Sequence, residues 1–327
     1  MANNISETST DVLMDVLKHA GILNAGDKFL EISKAGEGNM NIVLRLKTSE
    51  RTLILKQSPP YVNKYPHIPA PVERIKVEYA YYGLVQKDAY LTKFSPKIIG
   101  FLPIYNLLVM DDLGLGLDYR HLYEQKTKLP EHDLELLVNY LLRLHQLKVH
   151  AYPDNRGMRR LNHEHIFKFP FLTDNGFDLD RVQTGLQEAA SSIRSDSRLL
   201  QFIEQLGSRY LSKGRSLIHG DFYPGSWLGT SDGIKVIDTE FSFMGDPEFD
   251  LGVLCAHLMM SNTSPQTIFQ LKAMYMAEKK LDLDLLDQYT GVEILRRLIG
   301  LAQLPVTLSL SEKKSIIDYA RNLILHA

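Results

Sequence analysis

The sequence predicts an α+β chain in two parts, an antiparallel sheet with a helix followed by a mostly helical region. Three observations predict it. Residues 28–57 form three short β-like runs separated by turn residues. A helix-patterned stretch and two further strand-like runs then lead up to Asp112. Beyond that point, most apolar stretches repeat at helical spacing. A chain of 327 residues exceeds the usual size of a single core, so two lobes around a cleft are the default expectation.

The chain opens on a helix. Val12, Leu13, Val16, Leu17 and Ala20 recur at helical spacing, with Thr10 as N-cap and Gly21 as a stop. Strands are expected over Lys28–Ala35, Asn41–Thr48 and Arg51–Gln57; Gly36, Gly38 and Asn39 turn between the first two, Ser49 and Glu50 between the second pair. A proline-rich loop, Ser58–Ala70, precedes a helix starting at Pro71, whose buried stripe is Val72, Ile75, Tyr79, Tyr82 and Val85. Strand-like runs Lys97–Phe101 and Tyr105–Met110 end at Asp111, Asp112 and Leu113. Helices are then expected over Leu134–Leu147, Leu179–Ile193, Phe249–Met260, Pro265–Lys280, Leu285–Leu304 and Ser311–Leu325, interrupted by a strand–loop–strand passage, Leu217–Phe241. This order is that of a two-lobed, protein-kinase-like fold. The boundary falls near Asp112, giving an N-lobe of residues 1–112 and a C-lobe of residues 113–327.

Composition excludes several classes. The chain is 44% hydrophobic and 23% charged, with a formal net charge of −2 and no block of like charge. Nucleic acid and acidic membrane surfaces are therefore not expected partners. The single cysteine, Cys255, cannot form an internal disulfide and reads as a small buried hydrophobe. The N-terminus lacks the basic-then-apolar layout of a secretion signal, and the longest apolar stretch, Ile98–Met110, is too short to span a bilayer. A soluble cytoplasmic protein is expected. His145, His150, His163 and His165 show no tight metal-ligand spacing, so no zinc site is assigned.

The most informative stretch is Leu217–Asp250. His219-Gly220-Asp221 is followed by Phe222-Tyr223-Pro224-Gly225-Ser226 and then by Val236-Ile237-Asp238-Thr239-Glu240. Such carboxylates suit phosphoryl transfer, which rests on positioning and charge compensation rather than covalent help. One acidic group must accept or orient the proton of the attacking hydroxyl, and others must hold magnesium. Asp221, in a loop, suits the first task. Asp238, at the end of the apolar run Ile234–Ile237, suits the second, and in an extended segment Glu240 projects to the same side.

This passage resembles the signature of the aminoglycoside phosphotransferase and choline kinase superfamily. Three finer features resemble the methylthioribose kinases: Ser226 where most of the superfamily has asparagine, the run Asp238–Phe241, and the segment Leu295–Ala302. Matches extend to residues 36–41, Leu55–Gln57, Pro60–Val62, Val109–Leu113 and Leu161–Phe171. The resemblance implies an ATP- and Mg²⁺-dependent kinase of a small-molecule hydroxyl acceptor, most similar to a sugar of the methylthioribose type. Asp221 would be the catalytic base and touch the reacting hydroxyl, and Asp238 and Glu240 would hold magnesium. Ser226 is the weaker candidate ligand, since a neutral hydroxyl donates less well than an amide carbonyl. Asp250 is expected to brace the catalytic loop by accepting backbone hydrogen bonds. A homodimer is compatible with the resemblance.

On the nucleotide side, Gly36, Gly38 and Asn39 form a turn that can bring backbone N–H groups close to phosphates. Lys56 sits on the next strand amid Leu53, Ile54 and Leu55, and a lysine there either snorkels outward or meets a negative partner. In a kinase-like fold that partner is the α/β-phosphates, with a helix glutamate holding the amine; Glu78 is the candidate, ahead of Glu73. Met110, Asp111 and Leu113 would pair with adenine through their main chain.

On the acceptor side, Arg296 and Arg297 stand out in an otherwise apolar helical stretch. Adjacent helical residues point about 100° apart, but long arginine stems can converge. The resemblance implies that both meet sugar hydroxyls. Thr239 stands where methylthioribose kinases usually have proline, and the loop near His67–Val72 lacks the tryptophan associated with them. Another sugar, an aminoglycoside-like amino sugar or a choline-like alcohol therefore remain open as acceptors, although two arginines argue against a cation. The alternative of a different class is a nucleotide-binding regulatory pseudokinase. Such a module needs no base and no full metal set, so the presence of Lys56, Asp221, Asp238 and Glu240 counts against it.

Overall fold

The computed structural model describes residues 4–36, 40–124 and 127–326. The chain divides into two compact units, one of residues 1–116 with 230–241, the other of residues 117–229 with 242–327. The α+β class holds: an antiparallel sheet with helices comes first, and a mainly helical part follows.

The first unit begins with helix α1 (Thr10–His19), after which the chain reverses through Gly21 at φ +68°. Strands β1 (Phe29–Lys34), β2 (Ile42–Thr48) and β3 (Thr52–Gln57) form a meander. The proline-rich segment read as a loop holds a small hairpin of β4 (Tyr61–Val62) and β5 (Tyr65–Pro69). Proline is tolerated on such two-stranded edges because one face of the ladder needs no donor. Helix α2 (Arg74–Val85) starts three residues later than expected, and β6 (Ile98–Leu102) and β7 (Leu107–Asp111) complete a five-stranded sheet of order β1-β2-β3-β7-β6.

Alternation along the central strand β3 decides what each face does. Leu53 and Leu55 enter an apolar core with Leu13, Met14 and Leu17 of α1 and Leu44, Leu46 and Val109 of neighbouring strands. Lys56 has the opposite parity and meets α2. Tyr79, expected inside, is 42% exposed and stacks on Phe101 at a centroid distance of 4.7 Å. The buried face of α2 runs instead through Arg74, Ile75, Val77, Glu78, Tyr81, Tyr82 and Val85.

The second unit contains β8 (Leu117–Asp118), α3 (Glu131–His145), α4 (Arg156–His163), α5 (Leu186–Arg194), α6 (Ser197–Tyr210), β9 (Ser216–Ile218) and all but the last residue of β10 (Trp227–Thr230). Helices α7 (Pro247–Met260), α8 (Pro265–Glu278), α9 (Leu283–Ile299) and α10 (Leu310–Leu325) follow. Helices α7, α9 and α10 bury a common core that includes Phe249, Val253, Ala256, Leu295, Leu298, Ile317 and Ile324. Helix α9 ends at Ile299, short of the expected Leu304, because the backbone turns extended at Gly300 (φ −101°, ψ −178°) after its N–H has closed the last turn on the Arg296 carbonyl at 3.1 Å. Helix α5 begins at Leu186 rather than Leu179, after a short 3₁₀ turn at Leu179–Arg181. Helices α4 and α6 lie where none was expected.

One glycine is fixed by packing in this unit. The Gly214 N–H donates to the Met244 carbonyl at 2.8 Å, and a Cβ at Gly214 would fall 2.0 Å from the carbonyl carbon of Gly245. Backbone cannot rotate away as a side chain can. Gly214→Ala is expected to lower the urea midpoint by the equivalent of about 1–3 kcal/mol or more, and an unchanged midpoint would contradict this packing.

Candidate active site

In the first unit, Lys56 lies buried on β3 with its ammonium 2.8 Å from Glu78 Oε1 and 2.7 Å from Asp238 Oδ1. Burial alone would disfavour the charged amine; the carboxylates of Asp238, Glu78 and Glu240 more than offset it and hold its pKa above the ordinary lysine value. Glu78 responds in the opposite sense: burial pushes its carboxyl up to about 7, against the pull of Lys56. Glu73 is exposed.

Asp238 follows the strand Gly233–Val236 and adopts φ +62°, a backbone region that non-glycine residues rarely enter. The left-handed turn leaves its side chain 51% exposed while one oxygen faces Lys56. Glu240, two residues on, is buried. Asn41 Nδ2 donates to its Oε2 at 2.7 Å, and Arg74 Nε lies 3.3 Å from the same oxygen. Arg74 is completely buried, one helical turn before Glu78, and also donates to Asn41 Oδ1 and the Pro71 and Met40 carbonyls. Burial raises the Glu240 carboxyl above its usual range, opposed by Lys56 and Arg74. Neither Asn41 nor Arg74 was singled out from the sequence as a site residue, although Asn41 closes the quoted glycine-rich run.

Gly36 leaves β1 at φ +84°, whereas Gly38 and Asn39 lie outside the described residues. Met110 and Asp111 belong to β7; the Asp111 N–H donates to the Lys97 carbonyl at 2.9 Å, and Leu113 follows beyond the strand end.

In the second unit, β9 delivers His219, Gly220 and Asp221. Gly220 sits at φ +83°, which a residue with a Cβ adopts only under strain. Fully buried Asp250 of α7 accepts the N–H groups of His219 at 2.7 Å and Gly220 at 2.9 Å. Ser226 is buried and its hydroxyl donates to the Asp221 carbonyl at 2.8 Å. The Asp221 side chain is 20% exposed, and burial raises its pKa above the ordinary value although Arg297 and Arg296 oppose the rise. Both guanidinium groups reach the same oxygen, with Arg296 Nη2 and Arg297 Nη2 each 3.3 Å from Asp221 Oδ1. Adjacent arginines of α9 do converge, and Arg297 also lies over the Tyr223 ring at 4.8 Å.

Behind the arginines stands Glu293, one turn earlier on α9. Its Oε2 is 2.6 Å from Arg296 Nε, and its Oε1 accepts from Arg297 Nε at 2.8 Å and faces His257 Nε2 at 2.9 Å. A carboxylate only accepts, so His257 carries its proton on Nε2 and takes the Tyr123 hydroxyl, 2.6 Å away, on Nδ1. Burial holds His257 neutral, with its pKa lowered from 6.5 to about 4. Unfolded His257 gains a proton below about 6.5, so its contribution to stability is present above that pH and is lost toward pH 4. The stability gap between wild type and His257→Gln is expected to shrink by at most about 3 kcal/mol across that window. Urea midpoints at pH 7 and pH 4.5 check it; a gap that widens on acidification contradicts the neutral assignment. The opposite effect of Glu78 is common to both proteins and cancels.

Residues 31–280 match the family model described as the phosphotransferase enzyme family. Over 255 residues the chain is 26% identical to methylthioribose kinase of Exiguobacterium sibiricum, covering 72% of this chain and 62% of that protein. It is 25% identical over 274 residues to methylthioribose kinase of an Enterobacter species, covering 79% and 67%. Methylthioribose kinase 1 of Oryza sativa is 26% identical over 247 residues, covering 71% and 56%. The aligned part thus spans about three-fifths of the length of these relatives. Among solved structures, choline kinase LicA from Streptococcus pneumoniae aligns over 97% of this chain and 100% of that chain, with a TM-score of 0.52 at 14% identity. Spectinomycin phosphotransferase in complex with ADP and spectinomycin aligns over 97% and 98%, with a TM-score of 0.54 at 15% identity. That likeness is one of fold. No described helix is long and apolar enough to cross a membrane. With the family model covering most of its length, the chain belongs to the phosphotransferase enzyme family.

Proposed function

We propose that the protein is a small-molecule kinase that moves the γ-phosphate of ATP onto a hydroxyl of a methylthioribose-type sugar. The observation that carries this reading is the Asp221 carboxylate, partly open to solvent, with two buried guanidinium groups against one of its oxygens. Asp221 accepts the hydroxyl proton, while Arg296 and Arg297 donate to neighbouring acceptor oxygens. Donors fixed in this way discriminate between hydroxylated ligands, because a wrong acceptor leaves them unpaired.

The first unit supplies the nucleotide side of the reading. Lys56, aimed by Glu78, is the cation for the α/β-phosphates, with Gly36 and the main chain of Met110, Asp111 and Leu113 as further nucleotide contacts. Its donor set fits magnesium. Asp238 presents a hard, half-open carboxylate, and Glu240 is a second acidic group braced by Asn41 and Arg74. Magnesium is usually held by one or two carboxylates plus phosphates and water, and among the described residues no larger His, Cys, Asp and Glu cluster occurs. When bound, the ion supplies charge neutralisation on the phosphates. Ser226 acts as a brace for Asp221 through its carbonyl.

An assay of ADP release from MgATP with 5-methylthioribose, ribose, amino sugars and choline tests the reading. Turnover is expected to be highest with 5-methylthioribose and lowest with choline. ADP release that no acceptor raises above the acceptor-free rate would overturn it.

A further inference from the structure

The guanidinium groups of Arg296 and Arg297 are shared between two carboxylates, and the shares are unequal. Their Nε atoms lie 2.6 and 2.8 Å from Glu293, whereas their Nη2 atoms lie 3.3 Å from Asp221. Charge-assisted N–H···O bonds are strongest near 2.7–2.9 Å, which is the Arg297 Nε–H bond to Glu293 Oε1. Arg296 Nε meets Oε2 as a close ion pair without a hydrogen bond, so Glu293 holds the pair more closely than Asp221 does. Both hydrogen bonds to Asp221 fall on Oδ1. Glu293 is 2% exposed and is itself fixed from behind by His257, which is fixed by Tyr123. The Tyr223 ring lies beneath Arg297 and limits its swing.

We propose that Glu293 is a positioning residue of the acceptor site: by taking the Nε–H of Arg297 on one oxygen and ion-pairing Arg296 with the other, it keeps both arginines from closing on Asp221. One carboxylate oxygen is thereby left to the acceptor hydroxyl; Arg296 Nη1 donates to Asn162 Oδ1 at 3.3 Å, and the Nη hydrogens not so used are held out for acceptor oxygens. Without that hold, two guanidinium groups and a single carboxylate would collapse into a bidentate pair that occupies the acceptor's place. The inference rests on the reading of Asp221 as the group that meets the acceptor.

Glu293→Gln keeps the shape and removes the charge. The expected result is a rise of about tenfold in KM for 5-methylthioribose, with KM for ATP unchanged within about twofold. Glu248→Gln serves as the comparison, because Glu248 is another fully buried carboxylate of the same unit, paired with Arg215 and the Asp282 N–H. It is expected to lose stability and leave both KM values alone. A purely structural role for Glu293 predicts that same pattern in Glu293→Gln, with kcat reduced by a smaller folded fraction and no KM split, and that result would overturn the proposal.

A measurement on the wild type decides the matter if Glu293→Gln does not fold or 5-methylthioribose is not phosphorylated. The side-chain Nε–H signal of Arg297, identified by Arg297→Lys, should exchange with solvent about a hundredfold more slowly than those of exposed arginines. Exchange as fast as that of surface arginines would sink the proposal. Failure of 5-methylthioribose as acceptor, with slow exchange retained, removes the functional reading and leaves the hold of Glu293 on the arginines standing.

Discussion

With Asp221 as the base proposed above, Asp221→Asn is expected to lower turnover by about 10²–10⁴-fold, the usual loss when a general base is removed from its place. The amide keeps the volume of the carboxylate and one acceptor oxygen, so acceptor binding should survive in part. Two properties are lost. An amide does not take up a proton at physiological pH, and its NH₂ group is a donor that cannot pair with Arg296 or Arg297, both of which also only donate. Backbone support is untouched, since Ser226 and Asp250 act on the main chain at residues 219–221 rather than on the side chain of Asp221.

The pH profile gives a second check with a definite sign. Burial raises the Asp221 pKa above 3.8, against Arg297 and Arg296, so the ionised base is lost as pH falls through a value above the ordinary carboxylate range. Wild-type turnover should therefore rise with pH across an acid limb that Asp221→Asn no longer shows. Turnover within about tenfold of wild type, with the acid limb intact, would assign the proton to another group.

How much of this was legible in the sequence depended on whether a residue's local surroundings announced it. The three-strand meander was, because turn residues separate its runs and the parity of Leu53, Leu55 and Lys56 sets the lysine apart. The same contrast drew attention to Arg296 and Arg297 within an apolar helix. Glu293 gives the same signal, an acidic residue amid Val292, Ile294 and Leu295, but a single carboxylate is commonplace on a helix and does not by itself mark a site. Arg74 gave none: a basic residue near a helix start is ordinary until tertiary packing buries it.

Helices α4 and α6 were missed for opposite reasons. The residues of α4, Arg156–His163, are mostly polar and too few to show an apolar stripe, yet the helix is buried through Met158, Arg159, Asn162 and His163. Those of α6 carry the full pattern, with Asp196 capping Leu199 and with Leu199, Ile203, Leu206 and Tyr210 at helical spacing. Tyr79 shows the limit of periodicity itself. A ring at a stripe position can lie flat on the sheet edge against Phe101 and stay exposed.

Asp250→Ala is expected to destabilise the protein by about 3–5 kcal/mol, because Asp250 of α7 braces the loop that carries Asp221. Asp250 has no exposed surface and receives three donors: the His219 N–H at 2.7 Å, the Gly220 N–H at 2.9 Å and His145 Nε2 at 3.1 Å. His145 carries its proton on Nε2 for the same reason as His257, because a carboxylate only accepts and its Nδ1 is taken by the Tyr275 hydroxyl at 2.8 Å. Truncation leaves buried donors unpaired at about 1–3 kcal/mol each, partly offset by no longer burying a charge. Since whole domains are stable by only about 5–15 kcal/mol, much of the fold's reserve goes with this one carboxylate. Asp250→Asn separates geometry from charge: its single oxygen serves some of the donors, while its NH₂ group confronts the rest, so it should fall between wild type and alanine. The loss reaches the chemistry as well. Asp250 holds the left-handed turn at Gly220 from which Asp221 projects, so turnover per folded molecule should drop along with the urea midpoint. Equal midpoints for wild type and Asp250→Ala would mean that the turn at Gly220 is held by other bonds.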